Sequence, residues 1–289
     1  MTRLAVFAAI AALLLAPWPA QAADHRIAIV AAENFYGDVA AQIGGPDVTV
    51  HSILTNPDQD PHLFEASPSV GRDLSAARIV IYSGIDYDPW MPKLLHATHA
   101  SGRQVIVVAN LVGGKPGDNP HIWYEPATMP ALAGRLAAEL IADDPAHKAG
   151  YQQRLARFKE SMQPVLKNVA ALRHRLAGTP VIATEPVFGY IFAALGMDVR
   201  DMPFQIAVMN NTEPAASNVA AFENDLRNHR VRLMVYNSQA SDPIAARMMR
   251  LARQSHVPVV GATETEPPGK TYQAWMLSEL DAVDHALPP

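Results

Sequence analysis

The sequence of 289 residues contains no cysteine. Disulfide bonds and thiolate metal ligands are therefore excluded, and the absence also predicts that no lipid anchor is attached through cysteine. A metal site in this chain would have to be built from histidine, aspartate and glutamate side chains.

Several signatures of other protein classes are also missing. The sequence has no run of basic residues and a formal net charge of −5, so nucleic acid is not an expected partner. It contains neither a Gly-x-x-x-x-Gly-Lys-Ser/Thr phosphate loop nor a His-Glu-x-x-His motif, so it supplies no ATPase and no protease of the latter type. Hydrophobic residues make up 49% and charged residues 18%, which predicts a globular chain of one large domain or two ordinary ones.

Residues 1–22 have the pattern of a cleaved signal peptide. Arg3 precedes an apolar run over 4–17, and the small-x-small sequence Ala20-Gln21-Ala22 follows it. The run is shorter than the roughly 20 residues that a membrane span needs. We expect cleavage after Ala22, with Ala23 as the alternative, and a periplasmic protein with no lipid anchor.

Strand-like and helical patterns alternate along the rest of the chain. Short apolar strand patterns occur at 26–30, 48–54, 79–82, 105–108, 181–183, 233–236 and 257–260. Strands that alternate with helices predict parallel sheets with right-handed crossover connections. In such sheets ligands bind in loops at the carboxyl ends of the strands.

A long helical pattern separates the two halves of this alternation. From 145 to 177 the apolar residues recur every three or four positions, which predicts one linking helix with a kink at Pro164. The predicted organisation is therefore an N-terminal α/β lobe over 23–144, this helix, and a C-terminal α/β lobe over 178–289.

Two stretches place a histidine directly after a proline. They are Gln59-Asp60-Pro61-His62-Leu63-Phe64-Glu65 and Gly117-Asp118-Asn119-Pro120-His121-Ile122-Trp123. Proline fixes its own φ and pushes the preceding residue to extended geometry, so each histidine is held on a stiff, non-helical segment. Both stretches follow predicted strands, and we expect His62 and His121 to bind one divalent cation together.

Three motifs resemble those of a known family. Asp60-Pro61-His62-Leu63-Phe64-Glu65, Asn119-Pro120-His121-Ile122-Trp123 and Thr184-Glu185-Pro186-Val187-Phe188-Gly189-Tyr190 resemble ligand motifs of the solute-binding proteins of bacterial ABC importers for zinc and manganese, the zinc-uptake or TroA-like family. The second motif is the most specific. The resemblance covers essentially the whole mature chain, although the histidine-rich loop of many zinc-binding members is absent.

The resemblance implies a set of metal ligands. They would be His62, His121 and Glu185, with a fourth ligand from the loop before the last helix. The family usually has an aspartate there, whereas this sequence offers Glu264, with Glu266 as the alternative.

The resemblance also implies a fold and a function. The fold is two α/β lobes with parallel central sheets joined by one long rigid helix, with the metal in the cleft between the lobes. The function is to capture one Zn²⁺ or Mn²⁺ per chain and deliver it to an ABC permease in the inner membrane. We therefore expect a monomer that is not an enzyme.

The ligand types do not identify the metal. Imidazole suits Zn²⁺ and added carboxylate favours harder ions such as Mn²⁺, while the Irving–Williams order gives Zn²⁺ the higher affinity. The ligand types therefore favour manganese, and zinc remains an alternative.

Other interpretations of these residues remain. An exported metal-dependent hydrolase with Glu65 as general base is the main alternative, and an adhesin or metal chaperone on the same fold is another. Glu185 could instead cap a helix, and Glu264 could be a solvated loop acid. His96 and His99 could form a second metal pair, although a solvated helix face is the simpler interpretation.

Overall fold

The structure is a computed structural model, and it describes residues 26–56, 64–239 and 242–288. The predicted signal peptide and His62 lie outside the described residues. Within these ranges the strands form two parallel sheets of four strands each. No described helix is long and apolar enough to cross a membrane.

The first sheet lies in the N-terminal half and has the strand order β2-β1-β3-β4. Its strands are β1 (Ile27–Glu33), β2 (Val48–Leu54), β3 (Ile79–Tyr82) and β4 (Gln104–Val107). The helices that accompany it are α1 (Asn34–Gly44), α2 (Pro68–Ala76), α3 (Trp90–Ala97), α4 (Val108–Leu111) and α5 (Thr128–Asp143). β1 is buried along most of its length because helices cover both faces of a parallel sheet.

The predicted linking helix consists of two helices. α6 (Lys148–Ser161) and α7 (Gln163–Leu176) meet at Met162, whose N–H donates to the Phe158 carbonyl at 3.1 Å. The break falls here because Pro164 has no N–H to continue the helical hydrogen bonds and is favoured in the first turn of a new helix. The result is one long bent helix between the sheets.

The second sheet has the strand order β6-β5-β7-β8. Its strands are β5 (Pro180–Ala183), β6 (Asp198–Val199), β7 (Leu233–Asn237) and β8 (Val259–Ala262). Its helices are α8 (Gly189–Leu195), α9 (Met202–Met209), α10 (Ala216–Arg227), α11 (Pro243–Gln254) and α12 (Tyr272–Ala286). The predicted α/β class with two parallel sheets and a long helix is confirmed, whereas the lobe boundaries remain a prediction.

Some elements differ from the sequence prediction. The predicted strand over 257–260 is found at Val259–Ala262, because Pro258 cannot donate to a sheet ladder and the strand begins after it. Three short elements, β6, α4 and α9, were not predicted from the sequence. β6 and α4 are too short to show a period, and the sequence of α9, MPFQIAVM, is apolar on nearly every side.

The largest buried cluster includes side chains from both sheets and from the bent helix between them. An aromatic group lies at its centre: Phe35 packs against Trp123 with ring centroids 4.8 Å apart, and Tyr124 lies 5.5 Å from Trp275. These rings come from α1, from the turn after His121 and from α12. They therefore give His121 a rigid base that belongs to both halves of the chain.

Candidate metal centre

Three polar residues lie at the carboxyl edge of the second sheet. Glu185 follows the end of β5, Asn237 ends β7, and Glu264 follows the end of β8. β7 lies between β5 and β8 in the sheet, so Asn237 is placed between the two acids. The parallel arrangement thus brings together residues that are far apart in the sequence.

His121 approaches this edge from the first half of the chain, and its side chain is fully buried. Trp123 lies against the imidazole edge-on, with ring centroids 5.2 Å apart. The stiff Pro-His segment predicted from the sequence continues into a 3-10 turn over Ile122–Tyr124. Trp123 is itself fully buried, so the imidazole packs against a core side chain.

Asn119 determines which nitrogen of His121 faces the acids. The Asn119 Oδ1 atom lies 3.2 Å from the backbone N–H of His121 and 2.7 Å from its Nδ1 atom. The Asn119 Nδ2 group donates to the Pro186 carbonyl at 2.7 Å, which fixes the orientation of the amide. His121 Nδ1 must then carry the hydrogen, so the lone pair of the neutral ring is on Nε2.

The Nε2 atom of His121 is buried and has no hydrogen-bond partner among the described residues. It lies 3.6 Å from Oε2 of Glu264, which is too far for a hydrogen bond. The Tyr87 hydroxyl, from the loop after β3, donates to the same carboxylate oxygen at 3.0 Å. A buried nitrogen lone pair and a buried carboxylate therefore face each other across the two halves of the chain.

Asn237 connects the two predicted carboxylate ligands. Its Nδ2 group donates to Oε2 of Glu185 at 3.3 Å and also to Oε1 of Glu264. Its Oδ1 atom accepts the backbone N–H of Gln239 at 3.0 Å, which fixes the orientation of this amide too. Glu185 and Glu264 are only 4% and 1% exposed, so Asn237 links two acids that are shielded from water.

Hydrogen bonds across the cleft hold its two sides together. The Tyr190 hydroxyl donates to the Asn119 carbonyl at 2.8 Å, and the Tyr124 hydroxyl donates to the Thr263 carbonyl at 2.7 Å. Gly189 lets α8 approach this region, because a Cβ at that position would lie 2.7 Å from the Asn119 Nδ2 atom. These bonds join the two halves of the chain at the site.

More acids are buried beside the cleft. Burial, and secondarily the charge of Asp88, raise the pKa of Glu33 well above its ordinary value. Burial raises the pKa of Asp88 to about 6, against the lowering effect of hydrogen bonds from the Gly84 and Ser83 backbone. Burial, with a smaller contribution from Asp38, raises the pKa of Glu266 to about 9.

The predicted ligands divide into three groups. His62 lies outside the described residues, His121 and Glu264 face each other, and Glu185 joins them through Asn237. In the described part of the chain no three His, Asp or Glu side chains form a group that could hold a metal ion by themselves. The four-residue ligand set therefore remains a prediction.

The alternative residues lie elsewhere. The backbone of Glu266 is bonded to Asn34, which donates to its carbonyl at 2.7 Å and accepts its N–H at 3.0 Å. Glu65 is exposed. His96 and His99 are both exposed, and His99 lies beyond the end of α3, so the two do not share one helix.

Sequence reasoning missed three residues that shape the site, namely Asn119, Tyr87 and Asn237. Asn119 was inside a recognised motif, but its bond to the His121 ring could not be inferred from the spacing alone. Asn237 could have been found from the sequence, because it is a polar residue at the end of an otherwise apolar strand. In a parallel sheet ligands bind at the carboxyl ends of the strands.

The family is shown by a comparison with family models. The model described as "Zinc-uptake complex component A periplasmic" matches residues 29–286. The chain belongs to this family. The resemblance inferred from the three motifs is confirmed, and the family consists of substrate-binding components of metal transporters.

Individual relatives of the zinc-uptake family agree with this assignment. The chain is 22% identical to the metal ABC transporter substrate-binding lipoprotein SloC of Streptococcus mutans, over 92% of this chain and 91% of that protein. It is 22% identical to the manganese ABC transporter substrate-binding lipoprotein PsaA of Streptococcus anginosus, over 91% and 90% of the two chains. The solved structure of the periplasmic zinc-binding protein TroA from Treponema pallidum has the same fold, with a TM-score of 0.77, 17% identity, and coverage of 91% of this chain and 100% of that one.

One prediction needs correction. The expected localisation, a periplasmic protein with no lipid anchor, is contradicted because SloC and PsaA are both named lipoproteins. The expectation used the absence of cysteine, which concerns only attachment through a thiol. A residue count in one chain does not decide how a protein of this family is held at a membrane.

Proposed function

We propose that this chain captures one divalent transition metal, Zn²⁺ or Mn²⁺, in the cleft between its two sheets and delivers it to an ABC permease. The observation that carries the proposal is the buried Nε2 atom of His121, which has no hydrogen-bond partner among the described residues. An unpaired buried polar atom is costly, and a metal ion would satisfy it.

We propose His62, His121, Glu185 and Glu264 as the ligands. Two ligands of a tetrahedral zinc ion, at the usual Zn–N and Zn–O distances, are about 3.4 Å apart. The separation of 3.6 Å between His121 Nε2 and Glu264 Oε2 is therefore compatible with binding to the same ion. Glu185 supports the set because Asn237 joins it to Glu264.

Charge balance favours a dication at this place. Glu185 and Glu264 are both buried, and two buried carboxylates repel each other unless a positive charge compensates them. A divalent cation bound by two carboxylates and two neutral imidazoles leaves the filled site close to neutral. The same donor set contains no thiolate, so hard and borderline ions can both bind.

The proposed role is binding and delivery without an enzymatic step. In the hydrolase alternative Glu65 would act as general base, yet this side chain is exposed to solvent. Four protein ligands would also close the coordination sphere, whereas a catalytic zinc keeps a position open for water. Because all the proposed ligands come from one chain, we propose that a monomer binds the metal.

The test starts with metal analysis of protein purified without chelator, followed by competition between Zn²⁺ and Mn²⁺ in calorimetry. The variant His121→Ala is expected to lower affinity for the bound ion at least about 100-fold, because it removes a ligand. His174→Ala, an exposed histidine on α7, is the control and should change affinity less than twofold. Unchanged binding in His121→Ala would remove this residue from the site, and a wild-type protein that binds neither ion would refute the function.

A further inference from the structure

The carboxylates of Glu185 and Glu264 do not reach the cleft as independent groups. Each has one oxygen that accepts a hydrogen bond from the same nitrogen, Nδ2 of Asn237. Asn237 is 5% exposed and its Oδ1 atom accepts the Gln239 N–H, so a flip of the amide would break this bond as well as the bonds to the two acids.

We infer that Asn237 is a positioning residue that limits each of the two carboxylates to one coordinating oxygen and thereby favours zinc over manganese. This inference rests on the function proposed above. Asn237 is not a proposed ligand, and its effect on metal preference could not be inferred from the types of the ligands alone.

Asn237 occupies one oxygen of each carboxylate. An oxygen that accepts a hydrogen bond from a fixed, buried amide is a weaker and more crowded metal donor than a free one. In Glu264 this oxygen is Oε1, so Oε2 is the one that faces His121 Nε2 at 3.6 Å. The Tyr87 hydroxyl also donates to Oε2, but it comes from the first half of the chain and can rotate about its C–O bond.

The number of available oxygens then affects metal preference. Two imidazoles and two carboxylates that each bind through one oxygen give four ligands, which is the preferred coordination of Zn²⁺. If either carboxylate used both oxygens, the ion would gain a fifth or sixth ligand, which suits Mn²⁺ better. Counting carboxylates alone favours manganese, but the hydrogen bonds of Asn237 work in the opposite direction.

Asn237 also fixes the spacing of the two acids. One nitrogen that donates to both carboxylates keeps them at a distance set by its own geometry, and it is a neutral group between two like charges. The amide is held by the sheet, because the Asn237 backbone N–H donates to Thr184 Oγ1 at 3.2 Å. Metal-ligating groups are commonly oriented in this way by hydrogen-bonded neighbours.

The test compares Asn237→Leu with Ser238→Ala. Leucine has the same branched arrangement of four side-chain heavy atoms but donates no hydrogen bond. The control removes a neighbouring bond, from Ser238 Oγ to the Ala262 carbonyl at 2.9 Å, that does not involve the acids. The dissociation constants of Zn²⁺ and Mn²⁺ are measured by competition with a chromophoric chelator. We expect Asn237→Leu to move the zinc-to-manganese affinity ratio toward manganese by about tenfold or more, and the control to leave the ratio within twofold of wild type.

A spectroscopic measurement separates positioning from a general loss of structure. Co²⁺ in a four-coordinate site absorbs visible light much more strongly than in a five- or six-coordinate site, so we expect weaker bands in Asn237→Leu than in wild type. If circular dichroism shows that this variant is unfolded, Asn237→Ser takes its place in both measurements.

An equal loss of affinity for both ions, or an unchanged ratio with an unchanged Co²⁺ spectrum, would overturn the role of Asn237 and leave the proposed function standing. A wild-type protein that binds neither ion would refute both.

Discussion

Asn119 shows how one side chain can set the chemical state of a binding site. Its Oδ1 atom lies 2.7 Å from His121 Nδ1, and its Nδ2 group donates to the Pro186 carbonyl across the cleft. The same amide therefore selects the histidine tautomer and connects the two halves of the chain. Without it the imidazole could rotate, and Nε2 would lose its fixed direction.

The two glutamates of the last loop can be separated by experiment. Glu264 lies opposite His121, while the backbone of Glu266 is bonded to Asn34 of α1. We expect Glu264→Gln to lower metal affinity by about tenfold to 100-fold, and Glu266→Gln to change it less than about threefold. Calorimetric titration with Zn²⁺ measures both.

Each glutamate variant serves as the control for the other, because both keep the side-chain volume and both positions are buried. A larger loss in Glu266→Gln than in Glu264→Gln would move the fourth ligand to Glu266.

In the second sheet the polar residues of the site lie at the carboxyl ends of the strands. β5, β7 and β8 are parallel and adjacent, so the residues at or just after their last positions meet at one edge. The first half supplies His121 from a loop instead, and the start of α8 must come close to that loop. The close approach depends on the small size of Gly189.

Gly189→Ala should therefore disturb both packing and binding. An added Cβ would lie 2.7 Å from Asn119 Nδ2, an amide that is already bonded to Pro186 and His121. We expect a loss of about 1–3 kcal/mol in the free energy of unfolding, measured by urea denaturation, together with weaker metal binding.

The matched control for this prediction is Gly134→Ala. Gly134 lies within α5, and a Cβ there would meet nothing within 4 Å. Alanine is the better helix former, so this variant should be stabilised by about 0.5–1 kcal/mol. If Gly189→Ala behaved like the control, the close contact with Asn119 would have no energetic importance.

At the scale of the whole molecule, the two sheets share one buried cluster, and α12 packs against the bent helix. Packing against the rest of the molecule leaves Glu279, on α12, only 8% exposed. Burial raises the pKa of Glu279 on α12 to about 7, while a hydrogen bond from Trp275 Nε1 at 2.9 Å and the charge of Lys270 lower it. Folding therefore makes Glu279 easier to protonate than it is in the unfolded chain.

This shift predicts how stability depends on pH. Because the folded state binds the Glu279 proton more tightly than the unfolded chain, its contribution to the free energy of unfolding is full below the ordinary pKa of 4.5, decreases from there to about pH 7 and stays low above that. Glu279→Gln removes this loss and can still accept the Trp275 bond. We expect it to be more stable than wild type by on the order of 2 kcal/mol at pH 8 and little different at pH 4.

Denaturation in urea at both pH values measures the effect. Glu160→Gln, an exposed glutamate on α6, is the control and should show no comparable difference. An equal stability of Glu279→Gln and wild type at pH 8 would mean that the carboxylate is accommodated without cost.

The sequence by itself determined the α/β class, most of the strands and the family. These follow from local information: strand and helix periods depend on neighbouring residues, and the motifs around His121 and Glu185 are continuous stretches. Where local information was ambiguous, in the uniformly apolar α9, the element was not predicted. The predicted kink at Pro164 is confirmed, because the long helix bends at Met162, beside the start of α7.

The tertiary structure decided how the site is arranged. The bond from Asn237 to two acids, the contact of Tyr87 with Glu264 and the choice of Glu264 over Glu266 as the residue facing His121 all join positions that are far apart in the chain. Such contacts depend on strand order and on how the two sheets pack. No pattern within a single stretch of sequence encodes them, because the distance between two distant residues is set only when the whole chain has folded.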